Sequence, residues 1–279
     1  MSAFADQVYL LGRRSVVRTI RQPANVVGPL IFPLLLLAVN SGGLRAETRL
    51  PGFPTNSFFA FALAVPFIQG ALFATMNTGT DLARDIQTGF LNRLSLTPMR
   101  GIALLCGQLG GVVVLTIAQV AVYLAVGYIV GVRLESGLAG LVVIVLFAIL
   151  VGLGFGALGA FAALRTGSGE AVQSLFPVFF VFLFISSMNI PRNLIAVTWF
   201  RDAATANPVS YLLEAVRSLI ITGWDAEALA LGFGLAGAIT VVALALASWA
   251  LVEVEPAALT CVSINEVSSL VTDSAVGAV

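Results

Sequence analysis

Six stretches of this chain carry no charged side chain: residues 23–44, 54–80, 101–132, 136–164, 171–191 and 228–252. That pattern identifies the solvent. A helix crossing the hydrocarbon of a bilayer needs ~20 mostly apolar residues. In hydrocarbon no water serves the backbone, and a helix satisfies its own N–H and C=O groups. The expected fold is all-α: a polytopic membrane protein with six transmembrane helices near 24–40, 57–79, 103–131, 138–163, 172–190 and 227–251.

Composition narrows the function. The chain is 59% hydrophobic and 10% charged, with a mean hydropathy of +1.01, too apolar for a soluble surface. Arginine supplies all 14 basic residues, and there is no histidine. The usual general base and commonest transition-metal ligand are therefore missing, and neither a catalytic residue nor a metal site is expected. Cys106 lies in an apolar run, where packing is the expected role, and Cys261 lies near the end; no disulfide framework is suggested. A net charge of zero gives nucleic-acid binding no electrostatic support. The first span is read as retained rather than as a cleaved signal, because 23 residues precede it and Pro29 and Pro33 interrupt it.

Arginine also orients the bundle. With both termini inside, Arg13, Arg14, Arg18, Arg21, Arg84, Arg93, Arg100 and Arg165 lie on the inner side. Arg45, Arg49, Arg133, Arg192, Arg201 and Arg217 then lie outside, a bias led by the cluster before the first span. Residues 1–23 read as an interfacial amphipathic helix. Arg14, Arg18 and Arg21 share one face toward anionic headgroups, and Tyr9, Val16 and Ile20 lie opposite. Residues 46–56 form a short turn region with Pro51, Gly52 and Pro54, and residues 165–170 a tight turn. Residues 1–252 form one transmembrane domain, and 253–279 a tail expected to be disordered.

Two loops carry most of the information. Residues 81–100 (DLARDIQTGFLNRLSLTPMR) are the longest and most charged inner loop. Phe90, Leu91 and Leu94 sit at helical spacing, flanked by Arg84, Asp85 and Arg93, and Pro98 marks a helix boundary. Such an amphipathic helix needs lipid or a protein partner against its ridge. Residues 190–225 form a long outer segment. Asn207 suits an N-cap and Pro208 the first helical position; Val209, Leu212, Leu213, Val216, Leu219 and Ile220 make one apolar face, and Gly223 closes the helix. Glu214 and Arg217 are spaced to pair, and the helix is expected half-buried in the outer leaflet.

These loops resemble those of type-two ABC transporter permeases, in particular drug-resistance exporters of the daunorubicin-permease kind. Gly89, Leu94, Thr97 and Pro98 match the family's Gly-x-x-x-x-Leu-x-x-Thr-Pro element. Asn207, Pro208, Tyr211, Glu214 and Arg217 match its Asn-Pro-x-x-Tyr…Glu-Ala-x-Arg element. The resemblance implies that residues 80–100 hold a cytoplasmic coupling helix docking on a separate ATPase subunit. It implies that the outer helices are re-entrant, sealing or gating the bundle. It implies ATP and magnesium on that partner rather than on this chain, a second permease copy or a paralogue beside it, and a cytoplasmic-membrane location. The tail, which lacks arginine, departs from the family's usual basic ending.

Polar groups within the spans are few. Gln108, Thr116, Gln119 and Tyr123 fall in one arc of the third span, where interhelical hydrogen bonds and a cavity lining are both open readings. By the resemblance, the second and fifth spans line the path, which points to Gln69 and Asn77. Phe176, Phe179, Phe180 and Phe184 would then form an apolar wall. Gly152, Gly154, Gly156 and Gly159 permit close helix approach. An ion-coupled secondary transporter is the alternative, opposed by the lack of carboxylates deep in the spans. An intramembrane enzyme ranks last. No Gly-x-x-x-x-Gly-Lys-Ser/Thr loop is present, so the chain is not itself the ATPase.

Overall fold

A computed structural model describes residues 2–90 and 101–276, with side chains excepted at 2–4, 24, 25, 101 and 254–276. Its described residues form helices joined by turns, with no strand among them. In order these are α1 (Ser2–Arg21), α2 (Pro23–Gly43), α3 (Phe58–Ala62), α4 (Ala64–Gln87), α5 (Gly101–Ile129) and α6 (Gly137–Thr166). Then follow α7 (Gly169–Gln173), α8 (Leu175–Phe184), α9 (Thr198–Ala206), α10 (Pro208–Arg217) and α11 (Ala226–Val276). A π-helical turn, Ser218–Thr222, extends α10.

Among the described residues, five segments are long and apolar enough to cross a membrane: Val26–Gly43, Phe58–Gln87, Ile102–Ile129, Gly137–Thr166 and Ala226–Glu253. The expected fifth span is different. It is the shorter pair α7 and α8, broken at Ser174 and ending at Phe184. Ten residues of helix rise only about 15 Å, half of a bilayer core. The chain then bends at 185–190 and is backed by α10. Non-helical backbone at such depth is tolerated only where protein satisfies it.

α4 is the central helix, with Ala64, Ile68, Leu72, Thr75, Leu82 and Ala83 all buried. Gly159 of α6 lets the two backbones meet: a Cβ there would lie 2.1 Å from the Thr75 carbonyl oxygen. Gly152, Gly154 and Gly156 similarly face Thr116, Thr240 and Val112, so the glycines of α6 serve packing as expected. Two faces can be defined. The loop face carries the turns near residues 22, 88–90 and 167; the far face carries residues 44–57, 130–136 and 185–225.

Helix α1 reverses the expected polarity. Arg14 and Arg18 turn inward onto α4, while Tyr9 and Ile20 are exposed at 69% and 64%. Buried carboxylates at the end of α4 require countercharge more strongly than headgroups compete for it, and the apolar face is left for acyl chains. α1 lies against α5 where glycines leave room: Cβ atoms on Gly107 and Gly111 would fall 2.4 Å from Leu11 Cβ and Ser15 Oγ. Cys106 is exposed on α5 rather than packed. Helix α11 is described as far as Val276.

Candidate functional site

Three groups of residues stand out: an ionic hub on the loop face, a groove between α4 and α8, and a clamp on the far face.

The hub centres on Asp85, the last buried residue of α4. Arg14 approaches its two carboxylate oxygens at 2.8 and 3.1 Å, Arg18 donates at 3.0 Å, and the Gln108 amide donates at 3.0 Å. Arg18 also bridges to Asp81 at 3.1 Å. Two guanidinium groups therefore balance two carboxylates. Ser15 donates to the Gln108 carbonyl, which joins α1 to α5 in the same network. Arg14 further lies 3.9 Å over the Phe90 ring, and Gln87 donates to the Gly167 carbonyl. The start of the predicted coupling segment is thus tied to α1, α5 and the 166–169 turn. Arg84 is exposed, and Gly89 turns the chain at φ +68°. Leu91, Arg93, Leu94, Thr97 and Pro98 lie outside the described residues.

The groove has a volume of about 330 Å³ and is lined by Phe73, Met76, Asn77, Thr80, Gln173 and Phe176.

 A separate cavity of about 390 Å³ lies on the far face, lined by Phe61, Arg192, Glu214, Arg217, Ser218 and Asp225. Asn77 and Phe176, both expected along the path, therefore meet in the groove. Phe73, Met76 and Thr80 were not singled out in the sequence, although their spacing from Gln69 puts them on one face of α4. At its inner end the groove is closed by stacked rings. Phe73 lies 5.5 Å from Phe176, Phe176 lies 4.9 Å from Phe180, and Phe180 lies 5.3 Å from Phe184. Phe32 of α2 joins them, 6.0 Å from both Phe73 and Phe180. Phe179 points elsewhere, onto Phe155. Gln69 is 1% exposed behind this wall, and its Oε1 has no partner among the described residues.

The polar arc of α5 does not line the groove. Gln108 serves Asp85, and Thr116 faces Gly152. Gln119 lies over Gly70, where a Cβ would sit 2.7 Å from its Oε1, and its buried Nε2 has no partner among the described residues. Tyr123 is fully buried and donates to the Pro29 carbonyl at 2.7 Å. Gln108 and Tyr123 thus bond across helices, while Thr116 and Gln119 pack against glycines of neighbouring helices.

The clamp is built by α10. Asn207 caps the helix through the Val209 N–H at 2.9 Å and donates to the Phe182 carbonyl at 2.5 Å. Ser210 accepts from the Ser187 N–H at 3.1 Å. Arg217, 6% exposed, donates to the carbonyls of Phe61, Ser187 and Met188 at 3.0, 2.6 and 2.6 Å. One face of α10 thus satisfies the backbone where α8 ends, which accounts for that helix stopping short. Burial pushes Arg217 down to about 9, still protonated at neutral pH. The expected pairing of Glu214 with Arg217 is not made. Glu214 takes Arg192 instead, at 2.5 and 2.7 Å, because Arg217 points inward to helix-end carbonyls and Glu214 outward. Arg192 also lies 4.4 Å over the Tyr211 ring, and Tyr211 donates to the Thr205 carbonyl at 2.9 Å. The apolar residues read onto one face, from Val209 to Ile220, are all buried.

Comparison with known proteins agrees with this layout. The chain is 30% identical over 201 residues to a daunorubicin resistance ABC transporter permease protein of Streptomyces coeruleorubidus, covering 70% of this chain and 66% of that one. It is 24% identical over 222 residues to a probable doxorubicin resistance ABC transporter permease protein of Mycobacterium tuberculosis, covering 79% of each. A putative transport permease of Cyanophora paradoxa is 24% identical over 220 residues, 77% of this chain and 74% of that one. The chain spans just under two thirds of the first relative and about four fifths of the second. Residues 6–221, from α1 through the clamp, match the ABC-2 type transporter family, and the chain belongs to that family as a type-two ABC transporter permease.

Proposed function

We propose that this chain is the membrane subunit of an exporter driven by ATP hydrolysed on a separate subunit. The loop face is cytoplasmic, and residues 88–100 receive the movement of that subunit. ATP and magnesium belong to the partner, and a second permease copy or a paralogue completes the path. The observation that carries this reading is the hub at Asp85. It makes the start of the loop a stiff extension of α4, so displacement of the loop reaches the helix that walls the groove. The cargo is hydrophobic or amphipathic, since the groove offers phenylalanine rings, Asn77, Thr80 and Gln173 but no charge. Drug resistance in the names of the relatives points to cargo of this class. An ion-coupled mechanism is less favoured: the carboxylates of α4, Asp81 and Asp85, are both held by arginine.

The test is efflux from proteoliposomes containing this chain and an ABC ATPase subunit. Efflux should require ATP, and Leu91→Asp with Leu94→Asp should leave insertion intact while separating hydrolysis from efflux. Cargo movement by the permease alone, without an ATPase, would overturn the reading.

A further inference from the structure

Arg217 holds its charge against three backbone carbonyls, with a longer contact to the Ser187 hydroxyl at 3.5 Å. The three it reaches mark the ends of two helices. Phe61 belongs to α3, which leads into α4, and Ser187 and Met188 follow α8. Its guanidinium also lies 3.7 Å over the Phe61 ring. α4 and α8 are the same two helices that wall the groove on the loop face. Between the groove and Arg217 stand the rings of Phe73, Phe176, Phe180 and Phe184. The two helices are therefore parted at one end and tied at the other.

We infer that Arg217 is the positioning residue that holds the far end of the α4–α8 seam shut, so that the groove opens to one face only. A planar guanidinium with five N–H donors can meet several carbonyls at once, and helix C-termini carry partial negative charge. A lysine ammonium is a single point and cannot span all three. Among the described residues no carboxylate hydrogen-bonds to Arg217: Glu214, one turn back, is bonded to Arg192. Opening the seam therefore strands no buried ion pair. The 390 Å³ cavity borders Arg217 and supplies water to the guanidinium and the freed carbonyls as they separate. The significance of this bolt for transport rests on the groove being the cargo path; its existence does not.

The test needs neither cargo nor ATPase. Gln69→Cys introduces a thiol on α4 between the bolt and the rings, in the whole chain carrying Cys106→Ser and Cys261→Ser. Oriented proteoliposomes are treated from the far face with a membrane-impermeant thiol reagent. With Arg217 intact, the thiol should be nearly inert, as Gln69 is 1% exposed. Arg217→Gln should raise the reaction rate about tenfold or more, because each lost hydrogen bond from a charged group shifts the closed state by at least that factor. Arg217→Lys should give a smaller rise, and carries the same prediction if Arg217→Gln fails to insert. Ser136→Ala removes a 2.6 Å bond to the Leu219 carbonyl in the neighbouring turn and should change nothing. No rise in the Arg217 variants, or an equal rise with Ser136→Ala, would overturn the bolt. Loss of ATP-driven efflux in unmodified protein would instead remove the path and leave the accessibility result standing.

Discussion

Tyr123 of α5 donates its hydroxyl proton to the carbonyl of Pro29 in α2, at 2.7 Å. In a regular helix that carbonyl would accept from the N–H of residue 33, but residue 33 is proline and has none. A phenol from another helix supplies what the sequence of α2 removes.

Tyr123→Phe should therefore destabilise the bundle by about 1–2 kcal/mol, the cost of a buried carbonyl left without a donor. Restoring the local donor with Pro33→Ala should shrink that cost to under about 0.5 kcal/mol, since contacting sites couple. Thermal unfolding in detergent of the two single variants and the double variant measures the coupling. Equal costs in both backgrounds would refute the pairing.

The hub predicts a sharper effect. Asp85 is 3% exposed and neutralises two arginines, so Asp85→Asn should cost about 3 kcal/mol, as expected when one partner of a buried pair is removed. α1 should loosen, with faster tryptic cleavage after Arg14 and Arg18. Adding Arg18→Gln should recover part of the loss. Strict additivity would show that the charges do not share one network.

Glycine substitutions separate contact from open space. Gly159→Ala would drive a methyl into the Thr75 carbonyl and should cost about 1–3 kcal/mol. Gly234→Ala meets nothing within 4 Å and should be neutral or stabilising by about 0.5–1 kcal/mol, as glycine is a poor helix former. Unfolding midpoints of the two variants should move in opposite directions or differ clearly in size.

The groove offers a functional test. Phe176→Ala removes a ring that touches both Phe73 and Phe180, and should change which cargoes are carried more than how much protein inserts. Phe179→Ala, whose ring faces Phe155, should alter stability without that change in cargo profile. Relative efflux of two cargoes of different size distinguishes the outcomes, and identical profiles would place the path elsewhere.

The residues themselves determined the solvent, the helical class, the helix that Asn207 caps and Gly223 closes, and the family resemblance. Each of these depends on local quantities: hydropathy summed over a window, a cap beside its helix, a short run of motif residues. Partner choice was not legible in that way. Arg14 and Arg18 on one face look the same whether headgroups or Asp81 and Asp85 lie opposite. The spacing of Glu214 and Arg217 allows a pair, yet Arg192 and three carbonyls compete better for them. The short α8 reads as a full span because the apolar run continues past Phe184. Only the tertiary structure decided these points, because a polar group inside a bilayer bonds whatever the packing brings within about 3 Å, and residues far apart in the chain can be nearest in space.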